Sequence, residues 1–380
     1  MIYLDNSATT RPYKEVIDSF VKVSTDYFGN PSSLHQLGVQ AENLLSKGRK
    51  QLADLLGVKP GEVFFTSGGT ESNNLAIKGA AIKHRGRGNH IITTEVEHAS
   101  VRETMNQLKQ LGFEITYLPV NSEGRMNIDD LEKAISRDTI LVTVMHVNNE
   151  VGTIQPVEEV GKFLQKYPRV LFHVDYVQGA GKIPLDLKRH HIDLCSISGH
   201  KFHGLKGTGL LYVRDGVQIS PLLTGGSQEF TIRSGTENVA GAVAMAKALR
   251  LTMEKQRSDS GRLVSMKEQM IQGLMELSDV TIHTPSVHSA PHIINFSIKG
   301  FKAEVFVHAL EEKGVYVSTT SACSSKKKST STTLLAMGVD EGLANSSVRI
   351  SLSYENRMEE INQALTIIKE TVKNLKEVMK

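Results

Sequence analysis

Between about residue 60 and residue 215, short apolar runs recur, with longer helical patterns between some of them. The runs are "EVFFT", "HIITT", "EITYLPV", "ILVTVMHV", "VLFHVD", "DLCSIS" and "GLLYV", and several are apolar on both faces. A strand with one wet face alternates apolar and polar residues, so runs like these predict strands covered on both sides. Intervening segments such as "SVRETMNQLKQLG" and "IDDLEKAIS" carry helical spacing. Doubly buried strands that alternate with helices restrict the chain to an α/β fold. The sheet is expected to be mostly parallel, with helices on both of its faces.

After residue 250 the texture changes. A charged helical stretch over 246–277 leads into "VTIHTP", "HIINFSI", "AEVFVHALEEKG", "VYVSTT" and "SVRISLS", then a closing helix from "RMEEINQALTIIKE" onward. The pattern predicts a large domain over 1–250 and a smaller α+β domain over 251–380, with residues 1–14 free to join the smaller one. A chain of 380 residues can bury a core without metal or disulfide staples. Its net charge of +3 is too mild to point to direct contact with nucleic acid. The start, "MIYLDNSATT", has neither a basic nor an apolar leader region, and no apolar run approaches the length of a membrane span. The two cysteines, Cys195 and Cys323, make no disulfide framework. A cytoplasmic protein with no membrane partner is the expectation.

Ligands of open α/β sheets collect beyond the carboxyl ends of the strands, and polar residues cluster at those expected ends here. After "EVFF" comes "TSGGTESNNLAIKGAA", where Gly68, Gly69 and Thr70 open a helix. Such a turn either cradles an anion at the positive helix end or simply caps the helix. It lacks the lysine of a Walker loop and is not GxGxxG. Asp175 ends "VLFHVD", where it can cap the next turn or pair with the protonated pyridine nitrogen of pyridoxal phosphate. Ser198, His200 and Lys201 leave "DLCSIS" together and suit an anchored phosphate beside a Schiff-base lysine. His98, in "TTEVEHASV", can be structural or can stack on a flat ring. Metal sites fit poorly, because neither HExxH nor CxxC spacing is present.

With these motifs the chain resembles the cysteine desulfurases of the NifS/IscS type, which are pyridoxal phosphate enzymes of the aspartate aminotransferase fold. The resemblance runs through "YLDNSATT", "FGNPSSLH", "TSGGTESNNLAIKG", "HVNNEVG", "VDYVQGAGK", "SGHKFHGLKG", "RSGTEN", "SAC" and "SSVRISL". It implies Lys201 as the Schiff-base lysine and general base, His98 as the stacking ring, and Asp175 at the pyridine nitrogen. Gln178 is implied at the phenolic oxygen, with Asn149 near cofactor and substrate. Gly69, Thr70, Ser198 and His200 are implied around the phosphate, joined by Thr236 from the neighbouring subunit of a homodimer. Arg349 would take the substrate carboxylate, a bidentate task suited to guanidinium. Cys323 would be the nucleophile that accepts sulfur from L-cysteine as a persulfide and passes it to an acceptor protein, an iron–sulfur scaffold or a tRNA-thiolating enzyme.

The stretch "STTSACSSKKKSTSTT" departs from the family pattern after Cys323, with lysines and hydroxyls in place of a glycine-containing turn and a Pro-Ser pair. A thiol in so polar and basic a segment is a poor packing residue, whereas Cys195 inside "DLCSIS" reads as buried packing. For Lys326, Lys327 and Lys328 three readings stay open: a solvated face, a dock for an acidic partner, or activation of the Cys323 thiolate. Rival functions are a selenocysteine lyase, another enzyme of this fold, or a non-catalytic scaffold. Cys323 argues against an aminotransferase, and Lys201 with Asp175 argues against a scaffold.

Overall fold

The computed structural model describes residues 1–319 and 330–378. In chain order the strands are β1 (Ile2–Tyr3), β2 (Val63–Thr66), β3 (His90–Thr94), β4 (Glu114–Leu118), β5 (Thr139–Met145), β6 (Leu171–Asp175), β7 (Leu194–Ser198) and β8 (Gly209–Val213). They are followed by β9 (Val280–Ile282), β10 (Ile293–Ile298), β11 (Val315–Tyr316), β12 (Ser318–Thr319) and β13 (Ser347–Ser351). The main sheet has the order β2-β8-β7-β6-β5-β3-β4. β4, β3, β5, β6 and β7 run parallel to one another, while β8 is antiparallel to both its neighbours. β2 therefore points the same way as the parallel set.

Period-two alternation divides the strand residues between two buried layers. Ile92, Val142, Phe172, Cys195 and Leu210 face one core. Their chain neighbours Ile91, Leu141, Leu171, Leu194 and Leu211 face the other. Both faces are covered, which is why the runs read as continuously apolar. Cys195 is fully buried in the first core, as expected of a packing residue.

The open edge of the sheet at β2 is closed by an ion pair. Arg49, on the helix Gln36–Leu56, donates Nη1 to the Val63 carbonyl at 2.6 Å and makes a two-pronged contact with Glu229 at 2.6 and 2.7 Å. Glu229 in turn accepts the Phe65 amide at 2.8 Å. Together they satisfy edge groups that would otherwise be open to another strand. The clamp also holds Glu229, Phe230 and Thr231 in the left-handed region, at φ of +44°, +53° and +68°.

A second core gathers Ile2 and Leu4 with Leu263, Met270, Phe296, Phe306, Ile350 and Ile368. It lies against a four-stranded sheet of order β12-β13-β10-β9, and β1 pairs in parallel with β11. One helix, Val239–Met275, feeds both cores, with Ala244–Leu249 in the first and Leu263–Leu274 in the second. The sequence placed its start near 246, yet it begins at Val239, where the Asn238 side chain accepts the Gly241 amide at 2.9 Å. Small residues buried on several faces of "VAGAVAMAKAL" erase the amphipathic signal there. Among the described residues, no helix is long and apolar enough to cross a membrane.

Replacing Arg49 by methionine should cost about 3–5 kcal/mol, because Glu229 is left buried without its counter-charge. Urea unfolding of Arg49→Met at fixed protein concentration checks this. A loss within about 0.5 kcal/mol of zero would show that the clamp is dispensable.

Candidate functional site

Thr66, Thr94, Met145, Asp175 and Ser198 end strands that all point the same way. The loops that follow converge on a cavity of about 200 Å³. Gly69, Thr70, His98, Asn149, Asp175, Gln178, Ser198, His200 and Lys201 all line it, together with Ser7, Asn73, Ser100, Met145 and Val177. Volume alone does not single it out, since an open groove beside Arg11, Tyr13 and Lys255 measures about 1030 Å³. The convergence of strand ends does.

The first wall is the N-terminus of the helix Gly69–His84. Gly68, at φ +152°, makes no side-chain cap, so the leading amides of the helix are left for an anion. A Cβ on Gly69 would stand 2.7 Å from Val177 Cγ2, so only glycine lets the backbone come this close.

The opposite wall is a buried polar chain. Asp175 accepts the Asn73 amide on Oδ2 at 2.7 Å and the Val177 backbone amide on Oδ1 at 3.0 Å. Asn73 also donates to Ser100 Oγ at 2.9 Å, and Ser100 Oγ lies 2.9 Å from His98 Nδ1. The Ser100 backbone amide donates to that same nitrogen at 3.1 Å, so the neutral ring carries its proton on Nε2. Burial pushes the His98 pKa down against the opposing pull of Asp175, and the ring is uncharged near neutrality. Burial and the nearby Lys201 charge push His200 down to about 4.

Lys201 closes the cavity from the turn after β7. Its Nζ donates to the carbonyls of Ser7 at 2.5 Å and Ala8 at 2.8 Å. Gln178 Nε2 reaches the same Ser7 carbonyl at 3.0 Å, while Gln178 Oε1 is buried without a partner among the described residues. Arg349 is 1% exposed and does not line the cavity itself. It donates to the Asn149 carbonyl at 2.8 Å and to Asp5 Oδ1 at 3.0 Å, and its Nε has no partner among the described residues. Thr236 is exposed and lies away from this cavity's lining. Cys323, Lys326, Lys327 and Lys328 lie outside the described residues.

Sequence reasoning missed Ser7, Asn73 and Ser100. Each sits inside a quoted motif, but only the fold brings Ser7 to Lys201 and Asn73 to Asp175 and Ser100, whose own contact with His98 is a local helix cap. Glu97 was missed as well. Its Oε1 accepts from Thr94 Oγ1 at 2.8 Å and from the Met145 amide at 3.0 Å, while Oε2 has no partner among the described residues. Burial, with Asp175 adding to it, pushes the carboxyl up to about 8 from its ordinary 4.5. The folded protein therefore keeps a proton that the unfolded chain releases. That contribution is complete below about 4.5 and is lost as pH rises through about 8. Glu97→Gln keeps the shape without the ionisation. Its stability relative to wild type should rise with pH across this window, by up to about 1.4 kcal/mol per pH unit. Urea melts at the two ends of the window check it, and a difference that stays constant with pH would mean Glu97 is ionised in the fold.

The aminotransferase class-V family model matches residues 2–364. A NifS/IcsS protein homolog of Lactobacillus delbrueckii subsp. bulgaricus is 46% identical over 380 residues, which is 100% of this chain and 99% of that protein. The cysteine desulfurase IscS of Methanosarcina thermophila is 41% identical over 375 residues, 99% of this chain and 93% of that protein. A solved structure of a NifS-like protein superposes with a TM-score of 0.93 at 40% identity, covering 98% of this chain and 99% of that one. The likeness runs over nearly the whole chain, and the chain belongs to the class-V aminotransferase family, among its proteins of the NifS/IscS type.

Proposed function

We propose that this protein is a cysteine desulfurase, which uses pyridoxal phosphate to move the sulfur of L-cysteine onto Cys323 and release L-alanine. The observation that carries the reading is that Lys201, Asp175 and His98 line one cavity with an uncapped helix N-terminus. The residues present fit the cofactor. Gly69, Thr70, Ser198 and His200 suit its phosphate, and Asp175 suits its ring nitrogen. The buried, unpartnered Oε1 of Gln178 is a polar atom that a hydroxyl of a bound group would satisfy. Lys201 is the residue to anchor it covalently, with His98 against its ring. When bound, pyridoxal phosphate supplies an electron sink for negative charge developing at Cα of the amino acid.

The remaining work falls to the chain itself. Arg349, held by Asp5 and the Asn149 carbonyl, is the guanidinium that would receive a substrate carboxylate. The Lys201 amine takes the Cα proton as general base. Cys323, as thiolate, attacks the substrate sulfur. In sum, the C–S bond of L-cysteine breaks, an S–S bond forms on Cys323, and a proton takes the place of sulfur on carbon. The persulfide then passes to an acceptor protein, an iron–sulfur scaffold or a tRNA-thiolating enzyme. We place Thr236 at the phosphate of a neighbouring subunit in a homodimer. Its absence from the lining of its own cavity supports that, as do the exposed apolar side chains Phe28, Leu34 and Phe230, at 70%, 99% and 61%.

Lys201→Ala should lose the visible absorbance of the lysine-bound cofactor together with turnover, by at least ~10²-fold. Near-normal alanine production by this variant would sink the assignment. Cys323→Ser should separate the two roles: it keeps the cofactor bound but transfers no sulfur to any acceptor, because a hydroxyl is a far weaker nucleophile than a thiolate. An active monomer in sedimentation at assay concentration would remove Thr236 from the site.

A further inference from the structure

Lys182 is 5% exposed and lies in the turn that follows β6 and Gln178. A buried ammonium is ordinarily matched by a carboxylate. Among the described residues none pairs with Lys182; its Nζ donates instead to the backbone carbonyl of Lys201 at 2.9 Å. Among the described residues, Lys182 sits with other basic groups: the Lys201 charge acts on it, and its own charge acts on His200 in the turn after β7, His203 just beyond and His292 ahead of β10, while Asp5 and His98 are the further titratable groups that the Lys201 charge reaches. His292 is fully buried with neither ring nitrogen partnered among the described residues, so it offers no compensating charge. An isolated buried cation of this kind is costly for stability alone, and an apolar side chain of the same length would fill the space more cheaply.

We propose that Lys182 is a positioning residue for Lys201, holding its carbonyl so that the turn delivers the side chain to the cavity, and biasing its nitrogen against a proton by like-charge repulsion. The inference rests on the desulfurase reading, in which the Lys201 nitrogen must shed a proton to act as base. A neighbouring cation is an established way to favour the free amine of a reactive lysine. Burial, with the Lys201 charge adding to it, pushes Lys182 itself down to about 7. Its charge is therefore most effective at and below neutrality. The backbone contact operates at any pH, so geometry and charge are separable.

The test compares holoenzyme of wild type, Lys182→Met and Lys182→Gln in three measurements: the pH midpoint of the visible band of the lysine-bound cofactor, kcat and KM for L-cysteine, and thermal unfolding. Lys182→Met should raise the midpoint by about one pH unit and lower kcat about tenfold, with KM changed by less than about twofold. Lys182→Gln restores a donor without charge, so it should share the raised midpoint and recover part of kcat. If Lys182→Met does not fold, the midpoint of Lys182→Gln decides alone. A wild-type midpoint in whichever variant folds overturns the inference, even if its melting temperature falls, because that is the signature of a merely structural lysine. A wild type that takes up no cofactor or releases no alanine would instead overturn the desulfurase reading.

Discussion

The hydrogen-bond ladder of the main sheet fixes everything else. Parallel pairing across β4, β3, β5, β6 and β7 makes their carboxyl ends face one side, and β2 joins them because β8 runs against both neighbours. In such a sheet, loops distant in sequence must meet at one edge. Residues from 69 to 201 thereby come together around a space of about 200 Å³. The N-terminal segment completes the enclosure. Its Ser7 and Ala8 carbonyls receive the Lys201 ammonium, while β1 anchors the same segment beside β11 in the other core.

A cavity walled by polar groups taken from water stands only if those groups satisfy one another. Asn73 does much of this by bridging Asp175 and Ser100, which in turn fixes the His98 tautomer. Glu97 is buried, and that burial, with Asp175 adding to it, pushes its carboxyl up to about 8. Environment alone thus sets the protonation of the Glu97 carboxyl beside the site. Arg349 meets the same demand through Asp5, which orients the guanidinium from outside the cavity lining.

The sheet was legible because its strands are buried on both faces and so read as unbroken apolar runs. Most of the cavity was legible because strand-end polar residues occur in sequence order around it. What stayed hidden depends on contacts no local pattern encodes. Asn73 looks like an ordinary helix residue until folding brings it to Asp175 and Ser100. The start of the helix at Val239 was obscured by burial on several sides, which removes the period a sequence reader relies on. Asp5 and Arg349 meet because the N-terminal segment pairs with β13. Cys323 is different in kind: its place in the argument comes from chemistry and resemblance, since it lies outside the described residues.

The fate of the sulfur distinguishes a desulfurase from every other enzyme of this fold. Wild-type protein loaded with pyridoxal phosphate and given a limited amount of L-cysteine without reductant should release L-alanine. The peptide containing Cys323 should then gain the mass of one sulfur atom in proportion to that alanine, with none on Cys195. Alanine released with no added sulfur on Cys323, or sulfur found on the buried Cys195, would contradict the desulfurase reading.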